Sequence, residues 1–493
     1  MLAEELLELA DSVRKMKAEM QTVEVKSAHQ GCPRRLYDTL SAFANQDTGG
    51  VILFGLNEKS DFAVAGVYDL QDLQKKVTEQ CLGMIPPVRA TFTSVQMEGK
   101  TICCAEIPPA DVMERPCYYS GAGRTKGSYV RAGDADLPMT DYEIYSYESF
   151  RRHVRDDERT YERASISFLD REMLQAYLNR MREEHPKFSK LSEEQALEML
   201  AITRDGVPTL AAILNFGIYP QGYFKQLVIT AITVPGTQIG DTGPNGERFL
   251  DNRRIEGTLS EMLQDAILFC TRNMKVRTII DPQTGMRTDH TEYPIEAIRE
   301  AVLNALIHRD YSHFTEGTPI QIDFFSDRLE IHSPGTLYGR MTVEDLGKAR
   351  PDLRNPALAA MAEFMLKTEN RYSGIPTIRR EMKAAGLPPP VFLNGRNEFV
   401  VVLYNTVQEE PSAPEGRESV HSESDLLGFC SVPRSRQEIA GFLGLKTSFY
   451  ITREYLQPLI DSGKLVMTIP DKPRSRNQKY VAKKTAVSKE GQE

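Results

Sequence analysis

The stretch IEAIREAVLNALIHRDY, residues 295–311, sets the reading of the centre of this 493-residue chain. Ile298, Val302, Leu303 and Leu306 recur at helical spacing and form an apolar stripe, while Glu300, Asn304 and His308 fall four residues apart beside it. A carboxylate and an amide one turn apart can share a divalent cation, the Asn304 oxygen as ligand and Glu300 orienting or deprotonating a water. The same three residues also describe an ordinary solvated helix face, and spacing alone leaves both readings open. On either side, SEMLQDAILFCTRNM (260–274) reads as a second helix, and LAAILNFG (210–217) and QLVITAITV (226–234) read as strands.

Working outward, the fold class is α/β to α+β and multidomain. Residues 1–150 open with a helix whose stripe, Leu2, Leu6, Leu9, Val13, Met16 and Met20, serves either intramolecular packing or a coiled coil, the latter giving a homo-oligomer. The pattern then changes to short strands, VEVKSA, VILFGL, TICCAEI and GSYVRAG, with the helix LYDTLSAFANQ between the first two. Residues 151–205 are polar and helical and read as a connector. A second α/β unit spans 206–405. An acidic linker rich in Pro, Ser and Glu fills 406–428, a small basic unit 429–485, and a disordered tail 486–493. From Arg434 to Lys484 there are eleven Lys/Arg against four Asp/Glu, a surplus of seven positive charges in a chain whose formal net charge is −9.

Composition excludes several classes. Hydrophobic residues are 41% and charged residues 26%, which is ordinary for a folded chain. The longest apolar run, Phe399–Tyr404, is far too short to cross a bilayer, and the acidic amino terminus is unlike a secretory signal; a cytoplasmic protein without membrane contact is expected. Seven cysteines form no CxxC pair and there is no HExxH, so free thiols and no structural zinc site are expected. GAGRTKGS (121–128) has its Lys and Gly in the wrong order for a phosphate loop and leads into a strand, so it reads as a mobile Gly/basic loop. A helicase motor is thereby excluded.

The basic unit reads as a winged helix-turn-helix: SRQEIAGFLGL and TSFYITREYLQPLIDSG as two helices, then KLVMTIP, the turn DKPRSRN and QKYVAK. In that arrangement Ser448, Tyr450 and Arg453 are the groove-facing candidates, and Lys472, Arg474, Arg476 and Lys479 the phosphate contacts.

Two family resemblances add to this reading. PIEAIREAVLNALIHRDY, PIQIDFFSDRLEIHSPG, RNP (354–356) and RYSGIPTI together resemble the GHKL-type ATP-binding domain of RecG-like regulators, over about residues 290–405. The resemblance implies ATP with Mg2+, Glu300 as the catalytic carboxylate if ATP turns over, Asn304 as metal ligand, and His308, Ser333, Gly335, Arg354, Asn355, Ser373 and Gly374 around the nucleotide. It departs from the wider superfamily at HSPGTLYG (332–339), where an adenine-reading acid is missing.

The first 150 residues resemble the Schlafen/AlbA-type DNA-binding domain through VEVKSA, LSAFANQDTGGVILFGLNE, RPCYY and GSYVRAG. This implies a phosphate-facing surface of Lys26, Arg34, Arg35, Arg115, Arg124, Lys126 and Arg131. Some Schlafen relatives cleave RNA with three acids; Glu19 and Glu24 match two of them, but Asn57 stands where the third is expected. The combined expectation is a DNA-binding, ATP-binding transcriptional regulator in which nucleotide modulates DNA binding. A metal-dependent ribonuclease acting on RNA and a GHKL-type ATPase are the alternatives.

Overall fold

The computed structural model describes residues 1–280, 287–366, 373–405 and scattered residues between 426 and 482, in two compact units, 1–408 and 409–493. Ser448, Tyr450, Arg453, Lys472, Arg474, Arg476, the terminal tail and the expected linker apart from Leu426 lie outside the described residues; Leu426 is buried in the core of the second unit, so the linker ends before it.

The first unit begins with α1 (Ala3–Met16), followed by β1 (Val23–Lys26), α2 (Tyr37–Ala44), β2 (Gly50–Phe54), α3 (Leu70–Leu82), β3 (Thr91–Met97) and β4 (Lys100–Ile107). The strands form one sheet in the order β1-β2-β4-β3, parallel between β1 and β2 and antiparallel elsewhere. Alternation along β4 sends Cys103 and Cys104 to opposite faces, and each face has its own core. Helices α2 and α3 cover the Cys103 side. On the Cys104 side α1 buries Leu6, Ala10 and Val13, while Leu2 and Met16, also on the stripe, stay exposed. Gly49 (φ +67) turns the chain into β2 with Ile107 O so close that any Cβ would stand 2.2 Å from it.

A short helix, α4 (Gly123–Gly127), and the hairpin β5 (Tyr129–Ala132) and β6 (Ala135–Pro138) complete this region. The segment expected to be a mobile Gly/basic loop is therefore a helical turn, closed where the Ser128 hydroxyl donates to Arg124 O at 2.7 Å. Next come α5 (Asp141–Arg151), whose Thr140 and Glu143 form a capping box, α6 (Arg171–Glu184) and α7 (Glu193–Met199). The stretch read as a polar connector buries Leu174, Tyr177, Leu178, Ala196 and Leu197 in the same core as the central sheet.

Residues 210–217, expected as a strand, are instead helical: α8 (Leu210–Phe216) is capped by Thr209, whose hydroxyl accepts from Ala212 N at 3.2 Å. All seven of its residues are buried, so the sequence shows no 3.6-residue alternation, and a short apolar run alone does not separate buried helix from buried strand. The expected helices at 260–274 and 295–311 form as α9 (Leu259–Asn273) and α10 (Ile295–His308).

The central sheet has six strands: β7 (Ile229–Thr233), β8 (Asp251–Ile255), β9 (Ile320–Phe324), β10 (Arg328–Pro334), β11 (Val391–Asn394) and β12 (Glu398–Tyr404). Its order is β8-β7-β9-β10-β12-β11, with only β7 and β9 parallel. Helices α9, α10, α11 (Pro356–Leu366) and α12 (Gly374–Ala384) pack together over it, and the largest hydrophobic core lies between helices and sheet. Asp157, fully buried, accepts from Ala357 N (2.8 Å) and Leu358 N (3.1 Å) and so ties the segment after α5 to the start of α11.

In the second unit the described residues include a three-stranded antiparallel sheet, β13 (Arg434–Ser435), β14 (Leu465–Met467) and β15 (Lys479–Ala482), in the order β13-β15-β14. Leu426, Cys430, Ile439, Leu456, Leu459, Leu465 and Tyr480 form its core, and Lys479 is exposed.

Candidate functional site

The polar stripe of α10 faces a cavity of about 330 Å³. The α10 helix supplies Glu300, Asn304 and His308, and the end of β10 supplies Ser333 and Gly335. The long loop to α11 supplies Tyr338 and Arg354, and the start of α12 supplies Ser373 and Gly374. Residues separated by up to 74 positions in sequence thus meet around one space. Asn355 is not among them: its amide donates to Ile307 O and Arg309 O, both at 2.8 Å, and fastens the carboxy-terminal end of α10 from behind. Ser333 contributes wall, but its hydroxyl is committed to Ala305 O at 3.3 Å.

The electrostatics of the cavity are uneven. Burial raises the Glu300 pKa; Arg299, 2.9 Å away, opposes that and Glu296 adds to it. His308 is solvent-exposed at the cavity. Desolvation by the surrounding protein, with the Arg354 charge adding to it, pushes its pKa down to about 4, so it is a neutral imidazole at pH 7. Arg354 is 6% exposed. Its Nη2 donates to Thr336 O at 3.0 Å and its guanidinium lies 5.0 Å over the Tyr338 ring, but Nη1 has no hydrogen-bond partner among the described residues. Asn304 Nδ2 has none either. Buried donors are normally satisfied, and an unpaired one costs about 1–3 kcal/mol.

Two glycines keep the walls apart. A Cβ at Gly374 would stand 3.0 Å from both Glu300 Oε2 and Asn304 Nδ2, and one at Gly335 (φ +107) would stand 2.6 Å from Arg354 Nη1. The α12 helix also starts here without a side-chain cap, leaving its positive end at the cavity. Unpaired donors, an uncapped helix terminus and a carboxylate-amide pair fit a phosphate-bearing ligand accompanied by a cation.

The cavity wall continues into the amino-terminal region. Asp310 lies 3.9 Å from Arg354 Nη1, accepts from Ser312 N at 2.8 Å, and takes the Tyr142 hydroxyl of α5 at 3.2 Å. Glu143, the next residue on α5, accepts two hydrogen bonds from Arg396, each 2.7 Å. No pattern in the sequence marks Tyr142 or Asp310, because their meeting depends on how two distant segments pack.

The expected phosphate-facing surface is only partly present. Arg131, assigned to that surface, has a side chain with no solvent exposure and stands among three carboxylates: Glu24 at 2.8 Å, Asp136 at 2.9 Å and Glu19 at 3.6 Å. Arg115 is likewise buried, bonded to Asp47 at 2.6 Å and to the carbonyls of Gln46 and Ala110. Lys26 pairs with Glu24, and Arg124 pairs with Glu148 while lying over the Tyr118 ring. Arg34, Arg35 and Lys126 are exposed, Arg35 touching Asp38 and Tyr129, beside the stacked rings of Tyr37 and Tyr119.

Glu19 and Glu24, the two acids of the ribonuclease alternative, do come together, but a guanidinium stands where a catalytic cation would sit. Arg131 and Lys26 supply two positive charges against three carboxylates; Glu19 is the farthest from Arg131, and burial, with Glu24 adding to it, pushes its pKa to about 7. Asn57 is turned into a local bend, accepting from Lys59 N and donating to Ser60.

Comparison with known proteins matches four segments of the chain. Residues 19–140 match the Schlafen AlbA_2 model, and residues 317–403 match HATPase_c_4, described as "Putative ATP-dependent DNA helicase recG C-terminal". Residues 148–225 match a domain of unknown function, and residues 425–481 the C-terminal domain of Fic-like proteins, "filamentation induced by cAMP". Among solved structures, a Corynebacterium diphtheriae protein aligns over 97% of both chains at 18% identity and TM-score 0.38. The N-terminal domain of a RecG-related protein from Nitrosomonas europaea aligns over 28% of this chain and 94% of its own, at 27% identity and TM-score 0.23. No curated protein matches the chain. No described helix is long and apolar enough to cross a membrane.

Proposed function

The chain joins a Schlafen AlbA_2 domain to a RecG-type ATPase-like domain, and from that premise we propose that it is a DNA-binding transcriptional regulator whose central cavity binds ATP with Mg2+. The observation that carries the nucleotide reading is that Arg354 Nη1 and Asn304 Nδ2, both without a hydrogen-bond partner among the described residues, belong to side chains lining one cavity held open by Gly335 and Gly374. In this reading Arg354 and the start of α12 take phosphate oxygens. Asn304 and Glu300 take the magnesium and its water, and His308 remains neutral behind them.

DNA contact is assigned to Arg34, Arg35 and Lys126 on the amino-terminal domain. A winged helix in 429–485 provides a second contact, supported by the surplus positive charge there and by the three-stranded sheet. The path from ligand to DNA runs through Arg354, Asp310 and Tyr142, because a ligand that draws on the Arg354 guanidinium changes what holds Asp310 and therefore α5.

The test is DNA affinity of the full chain, on genomic fragments selected by the protein itself, with and without saturating MgATP. A several-fold change is expected, and loss of that change in Tyr142→Phe. Identical affinity in both conditions would refute the regulatory reading.

A further inference from the structure

The central sheet presents two faces. One carries the helices and the cavity; on the other, β9 and β10 set Asp323, Glu330 and His332 side by side, since Asp323 pairs with Glu330 across the strands and His332 lies two residues further along β10. No residue of this group lines the cavity.

The roles of the two imidazole nitrogens can be derived. His332 Nδ1 lies 3.1 Å from Glu398 Oε2 on β12, and a carboxylate only accepts, so Nδ1 carries the hydrogen. By the same rule Nε2, 3.0 Å from Glu330 Oε2 and 3.8 Å from Asp323 Oδ2, carries a hydrogen in the ligand-free protein. Once that hydrogen leaves, the Nε2 lone pair and the two carboxylate oxygens converge on one point, where a metal cation can take the proton's place.

Arg328 fixes the arrangement from outside the group. The other oxygen of Glu330 is held by Arg328 Nε, which leaves Oε2 directed at the group. Arg328 in turn donates to Thr237 O at 3.0 Å and pairs with Asp327. Asp323 completes the group: the residue is only 9% exposed, its carboxylate makes no hydrogen bond among the described residues, and it is paired with the His332 ring at 3.8 Å. Buried carboxylates are paired, hydrogen-bonded or bound to metal.

We propose that Asp323, Glu330 and His332 form a binding site for a divalent transition metal of the zinc class, with Glu398 as the carboxylate that orients the histidine. The three donor atoms lie within 4.8 Å of one another, and ligand atoms around a tetrahedral zinc with bonds of about 2.0–2.2 Å stand roughly 3.3–3.6 Å apart, so small side-chain adjustments close the site. One imidazole with two carboxylates suits zinc or manganese rather than a thiolate-seeking ion, and a carboxylate behind the ligating histidine is the usual outer contact of such sites. Three protein ligands leave a fourth position for water or an anion on the open face of the sheet. The proposal does not rest on the nucleotide reading.

The experiment uses the full chain stripped with a chelator and titrated with Zn2+ alone by calorimetry, and with Co2+ alone in the visible region, both in excess Mg2+. The expected result is one saturable equivalent with cobalt bands of four- or five-coordinate geometry and no sulfur-to-metal charge transfer. His332→Gln and Asp323→Asn lose that equivalent, and Glu398→Gln weakens it by about 10- to 100-fold. Each variant is checked for an unchanged circular-dichroism spectrum and melting curve in chelator, so that misfolding is distinguished from ligand loss. No saturable equivalent in the parent protein, or an equivalent that survives in both His332→Gln and Asp323→Asn, overturns the proposal.

Discussion

Replacing Arg354 with methionine keeps most of the side-chain volume and removes the charge and every donor. The guanidinium is buried against the cavity, with Nη2 spent on Thr336 O and Nη1 without a hydrogen bond among the described residues, 3.9 Å from Asp310. If that nitrogen meets a phosphate oxygen, its removal deletes a hydrogen bond to a charged group, about 1.5–3 kcal/mol, or about 10- to 150-fold in Kd. Thermal denaturation converts this into a shift. At ATP about 100 times the parent Kd, ligand adds about 2.7 kcal/mol, and a 30-fold weaker variant keeps about 0.9 kcal/mol. For a cooperative unit of about 200 residues those figures correspond to roughly 5–10 °C for the parent and 2–4 °C for the variant, each against its own ligand-free midpoint. The ligand-free variant is itself expected to melt lower, because Asp310 loses its nearest cation while keeping the Ser312 and Tyr142 hydrogen bonds. Equal MgATP-induced shifts in the two proteins would refute the assignment of Arg354 to the ligand.

The remaining predictions concern the amino-terminal region. Arg131→Met leaves Glu19, Glu24 and Asp136 facing one another without their shared cation, and should destabilise the protein by about 3–5 kcal/mol in urea unfolding; a loss below about 1 kcal/mol would show that the cluster is solvated. Glu19 holds its proton in the folded state up to about pH 7 but only to about 4.5 when unfolded, so its contribution to stability falls as pH rises between those values. The urea midpoint of Glu19→Gln should lack that fall, and identical pH profiles for variant and parent would contradict it. Alanine at Arg34 and Lys126 together should weaken DNA binding across all sequences. It should also flatten the dependence of log K on log salt by about 0.9 for each phosphate left without its cation, and an unchanged slope would exclude them from the interface.

Much of this molecule follows from pattern. The polar column on α10 is visible in the sequence beside the apolar stripe, but spacing alone does not separate a solvated face from a site; in the structure the column lines the cavity. Strand alternation correctly sends Cys103 and Cys104 into separate cores. Other features depend on pairing that pattern does not encode. The Schlafen/AlbA resemblance implies Arg131 on a phosphate-facing surface, yet hairpin β5–β6 folds it onto the three acids, with Asp136 opposite it in register. Asn355 lies next to Arg354 in the triplet RNP but points to the opposite side, where α10 has carbonyls to satisfy. The α8 helix escapes because burial on all sides erases its period. The Asp323, Glu330 and His332 group escapes because two strands must be placed in register before its members become neighbours.

The central claim, that the space beside α10 is a nucleotide site, is tested most directly by calorimetric titration of the full chain with MgATP, alongside Gly374→Leu. That substitution fills the gap in front of Glu300 and Asn304 from the opposite wall. One saturable equivalent in the parent protein that disappears in the variant, while its circular-dichroism spectrum is retained, is the predicted result. Absence of saturable heat at millimolar MgATP, or an equivalent undiminished by Gly374→Leu, would contradict it.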